Sequence, residues 1–523
     1  MTRLDCWKYP FIISLLCAAV TASSAQIFTK MASFNDADGS YPAAALVQGL
    51  DGNLYGTTDF GGTGDHLCGY YGDKECGTVF KITRGGKLTT LLSFERSQGG
   101  NPLAGLVLTT DGDFYGTVAG GAEKCGYANE CGTIFKVSST GELTTLFSFC
   151  SQRDCMDGLY PYAGLVQAGD GNFYGTTLQG GASSCRYNEN GDGCGTVFKM
   201  TPGGNLTTLY SFCAQSNCSD GANPAAGLIQ GTDGSFYGTT SIGGSHDGGT
   251  VFKITATGTL TTLYSFCSKW NCSDGASPYT SLVQAVDGNF YGTTIQGGIK
   301  ACNYANGCGT VFKITPGGKL TTIYKFCHQS NCADGNAPQA ALVQGTDGAL
   351  YGTTSQGGIY SQNCNSFYNI GCGTAFKITR AGELTTLHDF CSDTNCSDGA
   401  VPVASLLQAT DGNLYGTTAI GGGATSFSCP AIGCGAVFSL STGLGPFVSL
   451  PRNSGEVGQV GDILGQGFRG TTGVFLNGTS ASFTVVADTL IRATVPFGAT
   501  TGFVTVQTPS VTLTSNTPFY VIP

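Results

Sequence analysis

Apolar and polar positions alternate along the chain in short bursts that return at a regular interval. One unit reads "PAAGLIQGTDGSFYGTT" from Pro224 and "GTVFKITATGTLTTLYSF" from Gly249. The bursts are rich in Val, Ile, Thr, Phe and Tyr and bounded by Gly, Asp or Pro, the pattern of short strands between tight turns. We assign four strands per unit: A ("GLIQ"), B ("SFYGTT"), C ("GTVFKIT") and D ("TLTTLYSF"). Asp-Gly separates A from B at Asp51, Asp111, Asp170, Asp233, Asp287, Asp347 and Asp411, a strong hairpin signal. "TPGGK"-like turns join C to D. Adjacent apolar positions inside a strand ("VF", "LIQ") predict strands covered on both faces, as in stacked sheets.

The Tyr-Gly pair of strand B marks the repeat. It falls at Tyr55, Tyr115, Tyr174, Tyr237, Tyr291, Tyr351 and Tyr415, seven copies spaced 54 to 64 residues apart. Four-stranded units at this period predict a seven-bladed β-propeller. Two fragments support closure of the ring. "IFTKMASF", Ile27 to Phe34, matches strand D with no A, B or C before it, and "GAVFSL", Gly435 to Leu440, supplies a C with no D after it. The N-terminal strand is therefore expected to complete the seventh blade, a device for which the rival β-solenoid has no use. From about Pro446 the repeat stops, and Val- and Thr-rich alternation predicts a small β-sandwich. The expected fold is all-β: a leader over 1–25, a propeller over 26–441, and an immunoglobulin-like sandwich over 446–523.

Composition narrows the setting. The 523 residues include 82 glycines, and only 11% are charged, with a net charge of −10. Nucleic acid and anionic membrane both need basic surface, so neither is an expected partner. "MTRLDCWKYPFIISLLCAAVTASSAQ" has basic residues flanking its start, a short apolar run and a small-residue exit, the pattern of a secretory signal cut before Gln26. The remainder is expected to be secreted or at the cell surface, without membrane insertion, and monomeric.

Removing Cys6 and Cys17 with the leader leaves 22 of the 24 cysteines. Five couples lie between D and the next A: Cys150/Cys155, Cys213/Cys218, Cys267/Cys272, Cys327/Cys332 and Cys391/Cys396. Six lie between B and C: Cys68/Cys76, Cys125/Cys131, Cys185/Cys194, Cys302/Cys308, Cys364/Cys372 and Cys429/Cys434. A zinc site needs four ligands, two from each loop. Yet the fourth B–C loop, "SIGGSHDGGT", has no cysteine while its neighbouring D–A loops keep theirs. Couples that come and go independently are local disulfides, as expected of an exported chain.

In an up-and-down blade the B–C and D–A loops share one face, and the A–B and C–D turns share the other. Function is expected on the long, pinned loops. Tyr70, Tyr127, Tyr187, Trp270, Tyr304 and Tyr368 are candidate binding residues there, suited to sugar rings or protein partners. Asp157, Asp220, Asp274, Asp334 and Asp398 form an Asp-Gly series in the D–A loops. Calcium is a candidate ligand for them, and turn formation is the plainer role. Glu75, Glu130 and Glu189 are the carboxylates available for a glycosidase acid and base. Lys81, Lys136, Lys199, Lys253, Lys313 and Lys377 recur in strand C and are expected to pair with the A–B turn aspartates. The leading expectation is an exported, non-enzymatic binding or scaffold protein whose loop face contacts extracellular glycan or protein. No cofactor is expected beyond calcium. The alternative is a carbohydrate-active hydrolase or lyase using the loop-face carboxylates.

"DGNFYGTT" and "GTVFKITPGG" resemble the GloVer tandem repeat of exported bacterial proteins, across nearly all of Gln26 to Leu440. That resemblance implies surface or secreted placement and no established activity. "GQGF" at Gly465, "VFLNGTSASFTVVADTLIRATVP" and "GFVTVQTP" resemble an IPT/TIG immunoglobulin-like domain, which implies a spacer or partner module. A propeller followed by such a domain also resembles copper enzymes of the galactose-oxidase type. Those use two tyrosines and two histidines, one from the C-terminal domain, and Pro446 to Pro523 contains no histidine.

Overall fold

The computed structural model describes residues 26–64, 76–120, 131–182, 185–187, 193–300, 307–358, 371–423, 429 and 432–522. They are all-β, apart from five single turns of 3-10 helix, and no helix among them is long and apolar enough to cross a membrane. Each repeat forms one four-stranded antiparallel sheet in the order A-B-C-D. In the fourth, A is Ile229–Gln230, B Phe236–Thr240, C Thr250–Ile254 and D Leu260–Ser265. The last sheet takes its D strand from the other end of the described chain: Ile27–Ser33 pairs with Ala436–Ser441, from Ile27 opposite Ser441 to Ser33 opposite Ala436.

The Tyr-Gly signature has a steric cause. A Cβ on Gly238 would lie 2.6 Å from the ring of Phe252 in strand C, which crosses over it. The neighbouring Tyr237 ring turns outward and stacks on Phe290 of the next repeat, with centroids 4.0 Å apart. A second aromatic contact joins the Phe after each D strand to the strand C Phe of the following repeat. It occurs seven times with centroids 5.0 to 5.4 Å apart: Phe94–Phe135, Phe149–Phe198, Phe212–Phe252, Phe266–Phe312, Phe326–Phe376, Phe390–Phe438 and Phe34–Phe80. The last of these links the N-terminal strand of the final sheet to the first repeat.

Strand A is shorter than the sequence pattern predicts, two residues in place of four. The carbonyls just before it are claimed from outside their own sheet. Thr57 of one repeat donates to Pro102 and Ala104 of the next, and Thr417 of the last donates to Pro42 of the first. The expected lysine pairs are present, with Nζ to carboxylate distances of 2.6 to 3.1 Å from Lys81–Asp51 to Lys377–Asp347. In six repeats the strand B tyrosine hydroxyl donates to the same aspartate, as Tyr291 does to Asp287 at 2.9 Å. The seventh repeat has Ser439 in place of the lysine, and Arg84 of the first repeat pairs with Asp411 instead.

Residues 446–522 form further small sheets around a separate core of Val448, Ile463, Phe468, Val474, Leu476, Ile491, Val506 and Phe519. This module lies against the A–B turns. Thr489 donates to the Leu50 carbonyl at 3.2 Å, Phe447 N–H to Thr410 O at 3.1 Å, and Arg452 to Gly169 O at 2.5 Å. Leu464 and Leu490 pack into a cluster with Tyr55, Leu108 and Phe114. The module is docked on the turns of the first, third and seventh repeats.

Candidate functional site

The loop face is built from a recurring cysteine turn. In "SKWNC" and its counterparts the residue before the second cysteine is Asp154, Asn217, Asn271, Asn331 or Asn395, each with φ between 56° and 58°. Asn and Asp tolerate that left-handed conformation, and their position here follows from it. The turn closes on the Asp of the following Asp-Gly. Asp274 accepts from Ser268 N–H at 3.0 Å, Lys269 N–H at 3.2 Å and the Tyr264 hydroxyl at 2.8 Å. Asp157, Asp220 and Asp334 make the same two backbone contacts, and Asp398 makes them with His388 in the tyrosine's place. All five carboxylates are buried, at 2% exposure or less. A calcium ion at any of them has to displace donors that already hold both oxygens.

Disulfides join Cys150–Cys155, Cys185–Cys194, Cys213–Cys218, Cys267–Cys272, Cys327–Cys332, Cys391–Cys396 and Cys429–Cys434, as the spacing predicts. Cys76, Cys131, Cys308 and Cys372 are also disulfide-bonded, and their expected partners Cys68, Cys125, Cys302 and Cys364 lie outside the described residues. The second B–C cysteine does more than close a ring. Its carbonyl accepts the N–H of the residue before proline at the start of the next repeat: Asn223 to Cys194 at 2.8 Å, Val401 to Cys372 at 2.8 Å, and across the closing seam Tyr41 to Cys434 at 2.9 Å. That residue has φ between 52° and 61° in all seven repeats, at Tyr41, Asn101, Tyr160, Asn223, Ser277, Ala337 and Val401. The strain turns the chain inward towards strand A.

The inward segments enclose a cavity of about 550 Å³ to which every repeat contributes. Following each proline, Ala43, Leu103, Tyr162, Ala225, Tyr279, Gln339 and Val403 form its rim on the loop-face side. Below them the wall is mostly Ala and Gly, with Thr280, Ser281 and Ser405. Tyr162 and Tyr279 meet edge to face at 5.7 Å, and Tyr160 stacks on Tyr162 at 6.1 Å. Burial pushes both the Tyr162 and Tyr279 phenols up, so they stay protonated donors. Among the described residues, no carboxylate, imidazole or amine lines this cavity.

The structure separates the sequence candidates. Trp270 is 87% exposed, in the 3-10 turn Trp270–Cys272. Tyr187 donates to Asp247 of the next repeat, where Arg186 also binds. Tyr70, Tyr127, Tyr304, Tyr368, Glu75, Glu130 and Glu189 lie outside the described residues, as does the expected leader. Sequence reasoning missed Tyr41, Tyr162 and Tyr279. For Tyr162 and Tyr279 the available signal was an aromatic directly after the proline, where other repeats carry Ala, Leu, Gln or Val.

A model of the Gloeobacter/Verrucomicrobia repeat matches residues 19–187, 129–366, 184–427 and 303–466. No curated protein matches the chain. Among solved structures, a fungal alcohol oxidase in complex with copper is similar at a TM-score of 0.50 and 13% identity, covering 95% of this chain and 99% of that one. A putative 6-phosphogluconolactonase from Bacteroides uniformis (TM-score 0.40, 15% identity, 65% and 84% covered) and an aldose sugar dehydrogenase from Streptomyces coelicolor in its PQQ-bound form (0.33, 12%, 80% and 98%) are more distant. At such identity the first likeness concerns the fold alone. A copper site of two tyrosines and two histidines does not fit the cavity, whose lining includes tyrosines and no histidine.

Proposed function

The chain belongs to the Gloeobacter/Verrucomicrobia repeat family, and from that premise we propose that it is an exported, non-enzymatic binding or scaffold protein. In this reading the seven sheets are the blades of one closed propeller, and its disulfide-pinned loop face contacts extracellular glycan or protein. The C-terminal module is an IPT/TIG-type immunoglobulin-like domain. Docked on the turns, it leaves the loop face clear for a partner.

One observation carries the reading: the cavity bordered by Tyr162 and Tyr279 is lined by groups that hold a ligand and do not transfer protons. Phenols held protonated present an apolar ring and a hydroxyl donor together, the combination that suits a sugar. Catalysis by general acid and base needs a titratable pair within reach of the substrate, and this lining offers none at neutral pH.

The test is retention of the purified chain on a panel of insoluble and gel-embedded polysaccharides, with calcium or with chelator, while released sugar is assayed. Retention without release is expected, weakened roughly tenfold by Tyr162→Ala with Tyr279→Ala, the scale of losing two aromatic contacts. Released sugar would overturn the non-enzymatic reading and direct attention to Glu75, Glu130 and Glu189. Retention abolished by chelator would assign calcium to the Asp157, Asp220, Asp274, Asp334 and Asp398 series.

A further inference from the structure

Six of the seven repeats carry a cysteine couple in the B–C loop, and the fourth does not. Its loop between Thr240 and Thr250 has nine residues, where the other repeats have 14 to 19. In the third, fifth and sixth repeats the missing element is seen in place: the second B–C cysteine packs on the D–A couple. The sulfurs of Cys194, Cys213 and Cys218 lie within 4.8 Å of one another, as do those of Cys308, Cys327 and Cys332, and of Cys372, Cys391 and Cys396. Gly248 takes the position of that cysteine in the fourth repeat. Its carbonyl accepts from Ser277 N–H at 2.9 Å, the counterpart of Cys194 and Asn223.

The vacated place is a polar pocket of about 200 Å³ beside the Cys267–Cys272 bridge. His246, Asp247, Asn271, Gln296 and Lys300 bring side chains to it. At roughly 30 Å³ per water it has room for about six or seven waters, the scale of one sugar ring. The residue preceding Asn271 is Trp270, exposed at 87%. The corresponding positions in the other cysteine turns are Arg153, Ser216, Ser330 and Thr394, so the single large aromatic of the series belongs to the one repeat with the vacancy. Trp270 does not itself line the pocket; it adjoins it through its neighbour Asn271 in the 3-10 turn Trp270–Cys272. The charges also divide unevenly. Asp247 is engaged by Arg186 and Tyr187, whereas Lys300 has no ion-pair partner among the described residues.

We propose that this off-axis pocket binds one uronate ring of an acidic extracellular polysaccharide. Trp270 stacks on the apolar face of the ring, Asn271 and Gln296 bind its hydroxyls, and Lys300 meets its carboxylate. The choice of a glycan rests on the function proposed above, and the place rests on the loop deletion.

The full chain is titrated with trigalacturonate and with cellotriose while indole emission is followed. The chain has two tryptophans, Trp270 and Trp7, and Trp7 falls within the expected leader. Trigalacturonate is expected to change the emission saturably, and Trp270→Ala to weaken its binding roughly tenfold in calorimetric titration, which does not depend on the indole signal. Lys300→Ala or 0.5 M salt should weaken binding by roughly two- to fivefold, because an exposed ion pair is screened. Cellotriose should bind about two- to fivefold more weakly for want of a carboxylate to meet Lys300. Equal binding of cellotriose, no saturable change, or undiminished calorimetric binding by Trp270→Ala would each overturn the proposal. Tyr162→Ala leaves this signal untouched while it lowers retention on polysaccharide, so failure here and failure of the central-cavity reading are told apart.

Discussion

The two faces of the repeat array hold themselves together by different physics. On the turn face five of the seven repeats use one ionic triad, a lysine and a tyrosine converging on an aspartate, as in Lys313, Tyr291 and Asp287. The lysines and aspartates are a fifth to a half exposed, and such pairs contribute little individually. On the loop face charge is nearly absent from the joints. Disulfides fix the loops, buried carboxylates cap their own backbone, and the carbonyl of a cysteine receives the next repeat. The loop face can vary in length, as the fourth repeat shows, because each couple stabilises only its own loop.

The sharpest way to break this comparison is reduction. A bridge closing a ring of about six residues is worth roughly 2 kcal/mol in the chain-entropy account. Thermal unfolding at neutral pH with and without a thiol reductant should therefore show a fall far larger than any single substitution produces. An unchanged midpoint would mean that the loop face is held by its hydrogen bonds alone.

A smaller effect is expected at the seams between repeats. Gln48 accepts from Thr410 N–H at 3.0 Å across the closing seam and is 6% exposed. Gln344 makes the same contact to Val286 at 3.0 Å within the array and is partly exposed. Gln48→Ala should cost about 1–3 kcal/mol, the penalty for leaving a buried donor unmet, and Gln344→Ala less. Denaturant unfolding of the two variants gives the comparison, and equal losses would deny the closing seam any special burial.

The smallest effect is the acid response of the turn face. Burial works against ionisation of Asp170, but Lys199 and Asn172 outweigh it and hold the carboxyl at about 2, against an ordinary 3.8. Asp287 is held at about 2 by Asn289, Lys313 and Tyr291, again over the cost of burial. Their folded values are depressed, so the stability they give is complete above 3.8 and drains away as pH falls towards 2. Asp170→Asn combined with Asp287→Asn should lower the melting temperature modestly at pH 7 and flatten its further loss between pH 4 and 2, so that variant and parent converge near pH 2. A slope as steep as the parent's would place the acid sensitivity elsewhere.

Much of the architecture was legible because it is periodic. Strand spacing, the Asp-Gly turns, the N-terminal strand as a missing D, the local cysteine couples and the lysine–aspartate pairs all follow from a residue type returning at the same place. The radial direction was not legible. A period gives positions along the chain and does not say which of them point at the axis, so Tyr162 and Tyr279 read as ordinary residues after proline. The two-residue length of strand A was hidden for the same reason, since the groups that withdraw its neighbours belong to the adjacent repeat. Docking of the C-terminal module through Thr489 and Arg452 depends on contacts between segments hundreds of residues apart, which no local pattern records. Trp270 was found by its place in a D–A loop, while the vacancy beside that loop became visible only against the filled repeats.

The pairing of Ile27 with Ser441 joins residues 414 positions apart (441 − 27 = 414). Non-local pairing of this kind is reached late, because the closure entropy of the intervening chain has to be met before the contact returns anything. Until then the first strand has no sheet to join, and Ala436–Ser441 presents an open edge able to accept a strand from another chain. Assembly is therefore a race between closure within one molecule and pairing between two. The order of synthesis puts the N-terminal strand at a disadvantage, since it waits through all seven repeats for its partner, and crowding of nascent chains is the condition under which exchanged, interlocked dimers would form.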